Sequence, residues 1–176
     1  RIAAGIEPTD GVFFPGIVRL NHMTGECQAM LGDFPPLKIA VFDTGGAINT
    51  VDFHRRGDLA RLSRENEAQT MAALDLLSGS KELEAIAEAA TKSALANQTI
   101  LPKRDLSAII ETARDLGALG VNAAHSGTIL GVLFPPEIDD KCLEQQAFRL
   151  ADHHPHLKYL QGVTLISGGY FYVQRE

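Results

Sequence analysis

The stretch Gly120–Phe134, GVNAAHSGTILGVLF, decides how this chain is read. Two apolar, strand-like segments meet at a small polar core, His125-Ser126-Gly127-Thr128. A tight loop between buried strands ordinarily uses Asn-Gly or Asp-Gly and little else. Here the polar residues sit between Ala123, Ala124, Ile129 and Leu130, which predicts a partly buried loop. Gly127 lets a backbone approach a ligand without an intervening Cβ. Ser126 and Thr128 add hydroxyls, and successive N–H groups in such a turn can form an anion-binding nest. The stretch is therefore either a ligand loop on a strand pair or a purely structural hairpin.

Outward from it, the spacing predicts helices on both sides. Leu106, Ile109, Ile110, Ala113 and Leu116 recur at i, i+3, i+4, i+7 and i+10, an amphipathic stripe. A second helix is expected over about Asp139 to Ala151, with Leu143, Ala147 and Leu150 inward. Further upstream, Leu83, Ile86, Ala87 and Ala90 face a core, with Glu82, Glu84 and Glu88 on a solvated side. A longer helical tract runs from Asp58, its expected N-cap, to the Ser78-Gly79-Ser80 break. Leu37–Phe42 has the β-branched and aromatic content of a buried strand and ends at Asp43-Thr44-Gly45-Gly46. Residues Gly16 to Leu31 read as a hairpin turning at His22-Met23-Thr24-Gly25, and GVTLISGGYFYV closes the chain as a strand. This order of elements predicts an α+β domain. Its ferredoxin-like, mostly antiparallel sheet carries helices on one face, so that both sets of apolar stripes are buried.

Composition narrows the function classes. The chain has 176 residues, 45% hydrophobic and 22% charged, which suits one soluble globular domain. A net charge of -6 argues against a nucleic-acid partner, because phosphate neutralisation needs a basic face. No apolar run reaches the roughly 18 residues of a membrane span. Cys27 and Cys142 form no C-x-x-C pair, so a reduced, cytoplasmic setting is expected. Arg1–Pro8, RIAAGIEP, opens like the tail of a helix already under way, with Ile2, Ala3 and Ile6 at helical spacing. Either the latter part of a longer protein or a chain trimmed at its start is therefore expected.

Three further places could carry chemistry. In Glu7-Pro8-Thr9-Asp10-Gly11 two carboxylates flank a rigid turn, where a carboxylate could orient a hydroxyl and accept its proton. An Asp-Gly turn with no catalytic role explains the same residues. Asp43-Thr44-Gly45-Gly46-Ala47-Ile48-Asn49-Thr50 is a glycine-rich loop at a strand end, either a substrate loop in which Asp43, Thr44 and Thr50 could supply polar contacts or a structural turn. It lacks the lysine and spacing of a Walker A loop. His153-His154-Pro155-His156 offers imidazoles, but adjacent histidines diverge and Pro155 prevents i, i+4 pairing. A surface helix terminus is the expectation there, and no metal site is assigned.

Taken together, EPTDGVFFPGI (Glu7–Ile17), DTGGAINT and AHSGT resemble the C-terminal half of GHMP-superfamily small-molecule kinases. Within that superfamily the chain is most similar to the L-threonine kinases of cobalamin biosynthesis, also met in propanediol utilisation. The likeness runs from Ile6 to about Tyr172. It implies transfer of the γ-phosphoryl group of ATP, with Mg2+, to a small-molecule hydroxyl, that of L-threonine first. Residues 1–14 would be the end of a domain-joining helix and turn, and residues 15–176 the C-terminal domain. The superfamily's phosphate loop, P-x-x-x-G-L-x-S-S-A in type, is not found in this chain. An N-terminal nucleotide-binding domain, holding most of the ATP and Mg2+ contacts, is thus the implied partner. The resemblance makes Asp10 the candidate base or substrate orienter. His125, Ser126, Gly127 and Thr128 would frame the phosphate end of the site, with Glu7, Asp43 and Thr50 toward the substrate. A stand-alone metabolite-binding or regulatory module of ferredoxin-like fold is the alternative, and a homodimer stays open.

Overall fold

A computed structural model describes residues 14–21, 24–46, 53, 55–125, 127–166 and 168. Glu7, Asp10, Thr50 and Ser126 lie outside the described residues, as do most of the expected domain-joining segment and the end of the expected last strand. The hairpin is described by itself, because Leu37–Thr164 form a separate compact unit. Strand β1, Ile17–Asn21, pairs antiparallel with β2, Glu26–Gly32. Gly25 takes φ 67° at the turn, and its N–H closes onto the Asn21 carbonyl at 2.8 Å.

The larger unit is built on β3 (Leu37–Asp43), β4 (Gly120–Ala123), β5 (Ile129–Phe134) and β6 (Lys158–Leu165). They form one sheet in the order β4-β5-β3-β6. Both β4 and β3 run antiparallel to β5, and their registers align the core rows. Phe42, Leu130 and Ala123 make one row, and Ala40, Val132 and Val121 the next. Five helices join them: α1 (Leu59–Glu65), α2 (Glu67–Gly79), α3 (Leu83–Ala96), α4 (Leu106–Asp115) and α5 (Asp140–His153). The expected α+β class is thus the observed one.

The stripe predicted on α4 is buried along its whole length, Leu106, Ile109, Ile110, Ala113 and Leu116. It shares one cluster with Leu143, Ala147 and Leu150 of α5 and with Phe42, Val121, Leu130, Val132 and Phe134 of the sheet. Phe42 has no exposed surface and its ring lies 5.6 Å from that of Tyr159 on β6. Helix α3 closes on the outer strand β4. A Cβ on Gly120 would meet the Ala87 carbonyl oxygen at 2.5 Å, so only glycine admits this approach. The Thr91 hydroxyl donates to the Ala87 carbonyl and accepts from Val121 N–H at 3.0 Å. An edge-strand donor is thereby satisfied by a helix side chain.

Three local expectations change. The tract from Asp58 is two helices broken at Asn66, whose side-chain amide donates to the Ala96 carbonyl at 2.7 Å and also bonds Thr99. That tertiary tie gives a buried polar residue its partner, and mid-helix periodicity carries no sign of it. Asp58 makes no capping bond, because its carboxylate forms a two-point pair with Arg56. The last strand begins at Lys158, upstream of the glycine-led run, since Tyr159 supplies the aromatic contact to Phe42.

Candidate functional site

The loop after β4 lies at the end of the sheet where β3 finishes and β5 begins. Asp43 and Ile129 are the last register pair, and Thr44 N–H continues the pairing onto the Thr128 carbonyl at 2.9 Å. The Thr44 hydroxyl donates to the same carbonyl at 2.8 Å. Sequence reading proposed DTGG and AHSGT as two separate loops. They form one constellation.

Asp43 shapes this junction. Its carboxylate accepts from Gly45 N–H at 2.9 Å, and Gly45 and Gly46 turn away with φ of 81° and 86°. The bond from Gly45, then the one from the Thr128 hydroxyl, hold the Asp43 carboxyl below its usual range, with a smaller contribution from the charge of Lys158. The group is therefore ionised at neutral pH and occupied in tying the two loops together.

The other side of the loop rests on the end of α3 and the segment after it. Ser93 Oγ lies 3.1 Å from His125 Nε2, and Asn97 Nδ2 donates to the His125 carbonyl at 3.3 Å. Lys103 Nζ donates to the Gly127 carbonyl at 2.6 Å. Asn97 and Lys103 are only 6% and 5% exposed, and burial pushes the Lys103 ammonium below its ordinary pKa. The carbonyls of His125, Gly127 and Thr128 are thus each held by a protein side chain. Among the described residues, none accepts from Thr128 N–H. A backbone fixed by its carbonyls, with an N–H left to offer, suits an incoming anion.

Of the residues expected from sequence, Asp43, His125, Gly127 and Thr128 come together here. Ser93, Asn97 and Lys103 were missed. They fall between helical stripes, where periodicity assigns no role, and only the packing of α3 against β4 brings them to the loop. Among the described residues, no group of three His, Cys, Asp or Glu could hold a metal ion. His153 does end α5, but His154 is buried rather than on the surface. Its Nε2 lies 3.0 Å from the Thr112 hydroxyl, which itself bonds the Ala108 carbonyl, and His156 faces the Arg104 carbonyl.

A family model described as GHMP kinases C terminal matches residues 52–149, more than half of the chain and all of α1 to α4 and the loop. The chain belongs to the GHMP kinase C-terminal family. Two curated relatives, both L-threonine kinases, align over 93% of it. That of Salmonella typhimurium is 28% identical and that of Citrobacter freundii 29%. The chain spans 56% and 59% of their lengths. Among solved structures, the L. major mevalonate kinase in complex with R-mevalonate superposes with a TM-score of 0.55 at 16% identity, over 81% of this chain and 46% of that one. A homoserine kinase from Cytophaga hutchinsonii gives 0.53 at 12% identity, over 88% and 50%. Structural likeness at such low identity speaks for a shared fold alone.

Proposed function

We propose that this chain is the C-terminal domain of an ATP-dependent kinase that phosphorylates a small-molecule hydroxyl, L-threonine first, giving O-phospho-L-threonine. The observation that carries the reading is the loop in which the carbonyls of His125, Gly127 and Thr128 are each held by a protein side chain. Phosphoryl transfer depends on positioning and on stabilising charge, and a pre-set backbone supplies both without reorganising. The names of the two relatives, which align over 93% of this chain, support threonine over other acceptors. A place in cobalamin biosynthesis and a cytoplasmic location belong to the same proposal.

In this reading an N-terminal nucleotide-binding domain completes the enzyme. The resemblance to GHMP kinases assigns Mg2+ and most of the nucleotide to that domain. ATP supplies the γ-phosphoryl group. Asp10 is assigned as the base or orienter for the acceptor hydroxyl, Glu7 and Thr50 as substrate-side contacts, and Ser126, Gly127 and Thr128 as the phosphate-end wall with His125 beside them.

The test is full-length protein incubated with MgATP and L-threonine, homoserine or mevalonate, followed by ADP release and 31P NMR of the product. Threonine is expected to give the highest kcat/KM. In the same enzyme D10N is expected to lower kcat by about 100-fold or more while leaving substrate affinity near its starting value. Binding of an amino acid without any ADP formation would sink the kinase reading in favour of a metabolite-binding module. Unchanged turnover in D10N would remove Asp10 from the mechanism.

A further inference from the structure

Lys103 is a cation buried beneath the loop, and the reaction outlined above gives it no task. Its surroundings are rigid. Gln98 grips its backbone on both sides, accepting from Lys103 N–H at 2.7 Å and donating to the Lys103 carbonyl at 3.0 Å. Pro102 precedes it, and Asp105, two residues later, holds a left-handed φ of 55°. The ammonium is thus delivered to one place, 2.6 Å from the Gly127 carbonyl oxygen.

That carbonyl shares a planar trans peptide with Thr128 N–H, so the two point in opposite directions. Holding the oxygen on the Lys103 side directs the N–H to the other. A charged donor grips harder than a neutral one, and it also draws electron density toward the oxygen, which sharpens the N–H as a donor. We propose that Lys103 is a positioning residue for phosphoryl transfer, fixing the Gly127–Thr128 peptide so that Thr128 N–H meets the anionic end of the reacting phosphate. The inference rests on the kinase reading for its chemistry, but the anchor itself is readable without turnover.

Among the described residues no carboxylate pairs with the Lys103 ammonium, and its burial opposes folding, so Lys103 is not explained as a stabiliser. Replacing it by an apolar side chain of similar shape should leave the unfolding midpoint unchanged or raised. In the full-length kinase, K103M is expected to lower kcat about 10- to 100-fold with the KM for the acceptor within about twofold. K103R, which keeps the charged donor, should recover part of that loss. Hydrogen exchange followed by mass spectrometry should show faster exchange across residues 125–129 in K103M and none across α4.

K103M with the starting kcat, or with unaltered exchange across the loop, would overturn the proposal. So would a rate loss that only tracks a lowered unfolding midpoint. If K103M is not recovered folded, K103Q carries the same comparison, with the same outcomes for and against. A wild-type enzyme that phosphorylates no hydroxyl refutes the kinase reading instead, and the exchange experiment then decides whether Lys103 anchors the loop.

Discussion

The body of β5 and the loop that leads into it are held by different forces. From Leu130 to Phe134 the strand is packed into the cluster of Phe42, Val132 and the α4 stripe, where contact is apolar and non-directional. The loop before Ile129 is held by Lys103, Asn97 and Thr44 through directional hydrogen bonds to named carbonyls. The strand body depends on volume and tolerates changes of chemical identity that preserve it. The loop depends on donors and tolerates changes of volume that preserve them. A domain arranged in this way can keep a stable sheet while its loop backbone is tuned for a ligand.

The strongest challenge to that contrast is a cavity in the core. F42A removes a ring with no exposed surface and should lower stability by about 3–5 kcal/mol, read by urea unfolding. The loss should appear in the unfolding midpoint first, with activity of the remaining folded enzyme little changed. A selective loss of kcat at full stability would break the division between the strand body and the loop.

T44V addresses the loop end. It keeps the volume and removes one of two donors to the Thr128 carbonyl, leaving Thr44 N–H in place. Stability should fall by only about 1 kcal/mol. The KM for MgATP or kcat should respond more than the melt does. Identical behaviour in the melt and in the kinetics would mean that the loop is ordinary scaffold.

The smallest effect concerns pH. Burial, with the charges of His156 and then His153, pushes the His154 imidazole below its ordinary 6.5, while Asp105 opposes this. The unfolded chain therefore takes up this proton before the folded one does. The associated stability is complete above 6.5 and is lost as pH falls through the lower, folded value. H154Q should flatten the decline in unfolding midpoint below about pH 6.5. An unchanged slope would assign that decline to the carboxylates.

Much of the fold was legible because burial repeats. The α4 stripe, the inward face of α5 and the strand Leu37–Phe42 all announce themselves by spacing, and each is buried where the spacing predicts. The Asn66 break and the Arg56–Asp58 pair were not legible. Each depends on a partner distant in sequence or on a competing contact that local propensity does not register. The candidate site divides in the same way: glycine and hydroxyl residues marked both of its loops, while Asn97 and Lys103 carried no mark.

By itself, the order of residues determined the α+β class, the family resemblance and the loop from His125 to Thr128. Those are matters of periodicity and of short, contiguous motifs. Tertiary structure alone decided that the DTGG and AHSGT loops are one junction, and that a lysine stands beneath it. Antiparallel pairing of β3 with β5 sets Asp43 beside Ile129 across the sheet, and the close passage of α3 over Gly120 carries the following segment to the Gly127 carbonyl. Such neighbours are produced by strand register and helix packing, and register is a property of the folded sheet.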